Sequence, residues 1–169
     1  MVRDAQAALD LLVGLPYVDP EQVWVLGYGL GSLVGLHLGA LEGRLAGLVA
    51  VCGPQPFRRD TPDRQLGGIR RWSHRHLWLP RLGLFVGREA QVPYDIDDLL
   101  ACLAPRPALV VSPQLDREAA VDDVTQAVDA ARRIYALYGA GEALVQRSPE
   151  DYNRWSPEMQ GLVLDWLKE

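Results

Sequence analysis

A three-layer α/β/α fold on a parallel sheet of about four strands is what this 169-residue sequence predicts. Three observations carry that expectation. Four short runs, at residues 23–26, 45–51, 108–111 and 143–146, are almost continuously apolar, the pattern of strands covered on both faces. Segments with helical spacing alternate with them, and that alternation builds a parallel sheet with helices on either side. The first run also enters a glycine-rich turn that leads straight into a helix.

The elements follow in chain order. Residues 3–13 have helical spacing, with Ala8, Leu11 and Leu12 on one side, and Gly14-Leu15-Pro16 ends them. Asp19-Pro20-Glu21 is a turn into the first strand, Val23-Trp24-Val25-Leu26. The turn from Gly27 to Gly31 precedes a helix over 32–41, closed by Glu42-Gly43, and then the second strand. Residues 54–95 lack a clean period and read as a lid-like insertion, with helical turns expected around 69–77. A short helix over 95–103 stops before Pro105 and Pro107. The third strand, a long amphipathic helix over 122–138 stopped by Gly139, the fourth strand, and a helix over 156–167 opened by Ser156-Pro157-Glu158 complete the chain.

Composition narrows the function. Hydrophobic residues are 49% and charged residues 23%, the balance of one packed domain over 1–169. A net charge of -5 disfavours nucleic acid as the main partner, because phosphate binding needs a positive footprint. Cys52 and Cys102 both lie in apolar surroundings and are expected as buried thiols. No residue spacing indicates a metal site, and no cofactor is expected. No run is long enough to span a membrane, and no signal peptide opens the chain, so a soluble cytoplasmic protein is expected.

The most informative segment is VWVLGYGLGSLVG, residues 23–35. Two chemistries use a strand that runs through Gly-x-Gly-x-Gly into a helix. One is the sharp elbow that lifts a nucleophile above a sheet, with small residues on both sides to avoid a clash. The other is the dinucleotide fingerprint, with a pyrophosphate at the helix N-terminus. The second fits less well. Its third glycine falls at Ser32, and no carboxylate follows at Val51-Cys52-Gly53-Pro54, where a ribose-binding acid belongs.

This segment, with its continuation LHLGALEGRLAGLVAVCG, the stretch APRPALVVSPQLD and the tail DYNRWSPEMQGLVLDWL, resembles the C-terminal half of an α/β hydrolase. The likeness is to the broad esterase and dienelactone-hydrolase-like group. It implies that the four strands are the fifth to eighth of that fold, that the first four are absent, and that the insertion lies where a lid is carried. It implies a nucleophile position at Gly29, an acid at Asp116 and a histidine position at Asn153. Only the acid matches. A triad needs a nucleophile bonded to a base that a carboxylate orients. The resemblance therefore implies a protein without triad hydrolysis, acting as a binding or interaction module.

Two alternatives stay open: a weak esterase using non-standard groups, and a nucleotide site at the turn from Gly27 to Gly31. Ligand-binding candidates are Tyr28, Gly29, Leu30, Asp116 and Asn153, joined by His74 and His76 from the insertion. Ser32 lies about one helical turn past the bend and is expected to bond to backbone. His37 reads as a core or capping histidine, and Asp116 equally as a loop cap. In IRRWSHRHLWLPRL, residues 69–82, near-helical spacing favours Trp72, Leu77, Trp78 and Leu79 packed on the core with solvated arginines. Cutting the sheet before its fifth strand makes residues 23–26 an apolar edge, and a homodimer is expected through this edge or the surface beside it. A small-molecule ligand is the other expected partner.

Overall fold

The computed structural model describes residues 1–64 and 66–169. Four parallel strands lie side by side in chain order: β1 (Trp24–Tyr28), β2 (Gly47–Val51), β3 (Ala108–Val111) and β4 (Leu144–Arg147). The register aligns Leu26, Val49, Leu109 and Val145 in one row across the sheet. Five helices surround it: α1 (Val2–Val13), α2 (Leu30–Leu41), α3 (Ile96–Ala101), α4 (Val121–Leu137) and α5 (Pro157–Trp166).

Side-chain alternation along the strands sorts the interior into two layers. Leu48, Ala50, Ala108 and Val110 point to one face, where they meet Leu33 and Leu36 of α2, Leu100 of α3, and Val124 and Val128 of α4. Val49, Val51, Leu109 and Val111 point to the other, against Met159 and Val163 of α5. The continuous apolar runs of β2 and β3 are thus explained: every residue of both strands is buried.

β1 differs from the expectation of a strand covered on both faces. It ends the sheet, and only Gly27 in it is buried. α5 meets β1 at Trp24, edge to face with Trp166 at 5.8 Å, while Leu26 on the same face stays 46% exposed. The packed side of α1 also differs. Leu9 is buried with Leu38 and Leu45, supported by Val2, Ala5 and Val13, whereas Leu11 and Leu12 face solvent. The stripe at 2, 5, 9 and 13 keeps helical phase better than the adjacent leucine pair.

After β2 the chain makes its long excursion through short 3-10 turns at Phe57–Arg59, Pro80–Phe85 and Glu89–Gln91 and a π-helical turn at Arg71–Arg75. Phe57, Ile69, Trp72 and Leu82 send their side chains into the main core. The buried Asp95 carboxylate fastens the two ends. It accepts from the backbone N–H of Phe57 at 2.6 Å and of Arg58 at 2.9 Å, while capping α3 through Ile96 N–H at 2.8 Å. The expected packing of the aromatic segment holds for Trp72 and fails for Leu77 and Trp78, which are exposed. Two arginines take the inward places: Arg70 pairs with Glu89 at 2.6 Å, and Arg71 with Glu118. A guanidinium whose charge a carboxylate neutralises is less costly to shield from water than a free one.

Cys52 is buried, but Cys102 is exposed, because it sits at the C-cap of α3 with its side chain outward. In the native state Cys102 is expected to react quickly with a maleimide and Cys52 only on unfolding. Mass spectrometry of the labelled protein checks this, and fast double labelling would refute it. Among the described residues no helix is long and apolar enough to cross a membrane.

Candidate functional site

The bend at the end of β1 has the backbone of a strand-to-helix elbow. Gly29 adopts φ 57° and ψ -113°. A β-carbon at Gly29 would meet only the Cys52 carbonyl, at 3.8 Å, so the space for a side chain exists and the left-handed φ is what favours glycine. The Gly29 N–H donates to the Val51 carbonyl at 2.8 Å, which closes the bend and leaves this amide with no phosphate to bind. Cys52, across from it, is also left-handed, at φ 52°. A non-glycine residue held there stores strain, which clusters at functional sites.

Beyond the bend, β1, β3 and β4 deliver three side chains to one place. The Tyr28 hydroxyl donates to Asn153 Oδ1 at 2.8 Å. The Asn153 Nδ2 amide donates to both oxygens of Asp116, at 3.2 and 3.1 Å. Asp116 also accepts from the Glu118 N–H at 2.8 Å, so the loop-cap reading of this carboxylate holds together with its placement in the site. The last residue of β1 and the loops after β3 and β4 each supply one member, which is how parallel α/β sheets gather residues at the strands' C-terminal ends.

Burial raises the Asp116 carboxyl above its ordinary range, against the pull of the Asn153 amide, the Ala119 N–H and the Arg71 charge. Burial, then the Cys52 and Asp116 charges, raise the Tyr28 phenol, so it keeps the proton it donates. Burial, followed by the Asp116 charge, pushes the Cys52 thiol up to about 12, which keeps it from the thiolate form a nucleophile needs. An amide such as Asn153 donates and accepts hydrogen bonds but takes up no proton near neutral pH, so it orients a partner without serving as a base.

The other sequence candidates lie elsewhere. Leu30 packs with the main core and, with Val34, His37, Trp78 and Leu79, lines a separate cavity of about 160 Å³. His74 pairs with the Ser73 hydroxyl at 3.1 Å and faces a cleft of the insertion, while His76 stacks on Trp78 at 4.7 Å. His37 bonds the Leu33 carbonyl at 2.8 Å and the Tyr94 hydroxyl at 2.9 Å, the core role expected of it. Ser32 departs from its expected backbone bond: its hydroxyl is buried without a hydrogen-bond partner. Among the described residues no three His, Cys, Asp or Glu side chains gather as metal ligands.

Two site residues are not singled out by the sequence. Arg71 places its charge near both Asp116 and Tyr28. Trp155 puts its ring 6.3 Å from that of Tyr28. Both stand beside residues that are singled out, Trp72 and Asn153, but neither has a spacing that marks it.

A parallel sheet that reads into a sharp Gly-x-Gly-x-Gly bend, with an acid after β3 and a polar residue after β4, defines an α/β-hydrolase-type fold. The solved structures it resembles include a promiscuous CE15 esterase from a marine bacterial metagenome, at TM-score 0.86 and 20% identity over 99% of this chain and 46% of that one. A CE15 glucuronoyl esterase from Caldicellulosiruptor kristjansonii follows at TM-score 0.81 and 20% identity, over 98% and 48%. Among curated proteins, a carbohydrate esterase of an unknown prokaryotic organism is 29% identical over 135 residues, 79% of this chain and 31% of that protein. No family model matches the chain. The chain spans less than half the length of these relatives.

Proposed function

We propose that this chain is a non-hydrolytic counterpart of the carbohydrate esterases it resembles, binding a carbohydrate ligand at the C-terminal ends of its strands. The observation that carries the reading is the hydrogen-bonded series from Tyr28 through Asn153 to Asp116. Asn153 and Asp116 stand at the positions the resemblance gives to the base and the acid, and Tyr28 is the residue before Gly29, the nucleophile position. An amide between a phenol and a carboxylate is held in a fixed orientation, and the remaining lone pairs on Asn153 Oδ1 and the Tyr28 oxygen can accept from a polar ligand. The half-exposed rings of Tyr28 and Trp155 beside it offer apolar faces, the mixture typical of small-molecule sites.

The test pairs turnover with binding. Hydrolysis of p-nitrophenyl acetate and of a methyl glucuronate ester stays at the buffer rate with the wild-type chain. Turnover that disappears in Asp116→Ala would overturn the reading in favour of a weak esterase. Titration with methyl glucuronoside is expected to quench tryptophan fluorescence, and Asn153→Ala to weaken binding about tenfold, the effect of losing one or two polar contacts. Binding unchanged by Asn153→Ala also counts against it.

The same reading extends to the outer edge of β1, where Leu26 and Tyr28 are exposed on the last strand of the sheet. A second copy covers this edge in a symmetric dimer. Light scattering across a dilution series is expected to give twice the chain mass, and a monomer at every concentration removes the dimer.

A further inference from the structure

Beside the hydrogen-bonded series lies a second feature that the carbohydrate reading does not use. The π-helical turn and the loop between β3 and α4 enclose a cleft of about 490 Å³, within the size range of small-molecule sites. Arg70, Arg71, His74, Arg75, Arg117 and Glu118 line it. Four arginines and one carboxylate thus line it; Glu89 and Glu118 pair with Arg70 and Arg71, which leaves Arg75 and Arg117 in excess in a chain whose net charge is -5.

Two of the four are held in place. Arg70 is clamped by Glu89 at 2.6 Å and by the Asp60 carbonyl. Arg71 pairs with Glu118 and lies over the Trp72 ring at 4.8 Å, with its Nε buried and lacking a hydrogen-bond partner. The cleft wall is tied as well, since Gly67 N–H donates to the Glu118 carbonyl at 2.5 Å. The side chains of Arg75 and Arg117 form no hydrogen bond or ion pair among the described residues. Like charges gathered on rigid walls without matching carboxylates raise the local positive potential and favour an anion.

We infer that this cleft binds a small multivalent oxyanion, such as a phosphate or pyrophosphate group, between Arg75 and Arg117 with Arg71 behind them. Two unpaired arginines call for at least two negative charges. The ligand is compact because the cleft is limited and the surface beyond it belongs to a net-acidic chain. An extended polyanion, nucleic acid included, meets repulsion outside the cleft. The inference is independent of the carbohydrate reading, since its readout involves neither an ester nor a sugar.

Isothermal titration of the full chain with sodium pyrophosphate tests it, with inorganic phosphate and acetate in parallel. Pyrophosphate is expected to bind at one site, more tightly than phosphate, with acetate silent and with affinity falling as sodium chloride rises. Arg75→Glu and Arg117→Glu are each expected to weaken binding about tenfold, as loss of a charge-assisted contact does. Both side chains are exposed, so circular dichroism and Tm of the variants stay as in the wild type. Arg75→Gln with Arg117→Gln gives the same loss without reversed charge. No binding of pyrophosphate, or equal binding by the doubly substituted chain, overturns the assignment. An oligonucleotide that binds more tightly than pyrophosphate and displaces it also overturns it.

Discussion

Gly27→Ala is expected to destabilise the protein by about 3 kcal/mol, at the upper end of what overpacking usually costs. A β-carbon there would stand 2.1 Å from the Gly31 carbonyl oxygen and 2.4 Å from the Ser32 nitrogen. Both are backbone atoms at the start of α2, so no rotamer change relieves the clash, and the helix itself must move off the strand. Gly31→Ala is the internal control. Nothing lies within 4 Å of a β-carbon there, and the residue is helical. Its expected effect is a gain of about 0.5 kcal/mol from reduced backbone freedom in the unfolded chain. Chemical denaturation of the two variants beside the wild type checks the contrast. Similar midpoints for both would show that the bend is not the tight contact described.

Trp72→Ala is expected to cost about 4 kcal/mol, in the range for removing a large aromatic from a packed interior. Trp72 is 1% exposed and joins the cluster that includes Leu33, Leu36 and Phe57. The indole also underlies the Arg71 guanidinium and stacks with Trp78 at 5.5 Å. Its loss therefore frees the insertion as well as opening a cavity. Trp72→Phe is expected to cost clearly less, because the ring remains and the indole N–H, which has no hydrogen-bond partner, disappears with it. Urea denaturation separates the two. An equal loss in both would mean that the indole N–H matters more than the volume.

Much of this architecture was legible from residue patterns. Buried parallel strands leave continuous apolar runs, and β2 and β3 fall where those runs do. Asp95 and Ser156 were readable as helix openings because side-chain capping leaves a local signature: the Ser156 hydroxyl accepts from the Met159 N–H at 3.2 Å. What failed was set by neighbours distant in the chain. Leu26 looks like a core residue, but its exposure depends on which strands lie beyond it. Leu11 and Leu12 are as apolar as Leu9 and more so than Ala5, but contact with Leu38 decides the face. In the site, the bend and the positions of Asp116 and Asn153 followed from spacing and resemblance, and the structure brings those residues together with Tyr28. Arg71 did not follow, because its pairing with Glu118 spans 47 positions and leaves no local trace.

Asp95 has a consequence for how this fold can change. Its carboxylate ties the departing strand's exit to the entry of α3 across 38 positions, so the excursion is closed at a neck. Lengthening a closed loop adds little entropic cost per residue. Beyond the neck only the solvent-facing positions, such as Leu77 and Leu84, can be recoded freely, while Ile69, Trp72 and Leu82 must stay to fill the core beneath. Ligand preference and scaffold stability are thereby free to diverge along separate mutational routes.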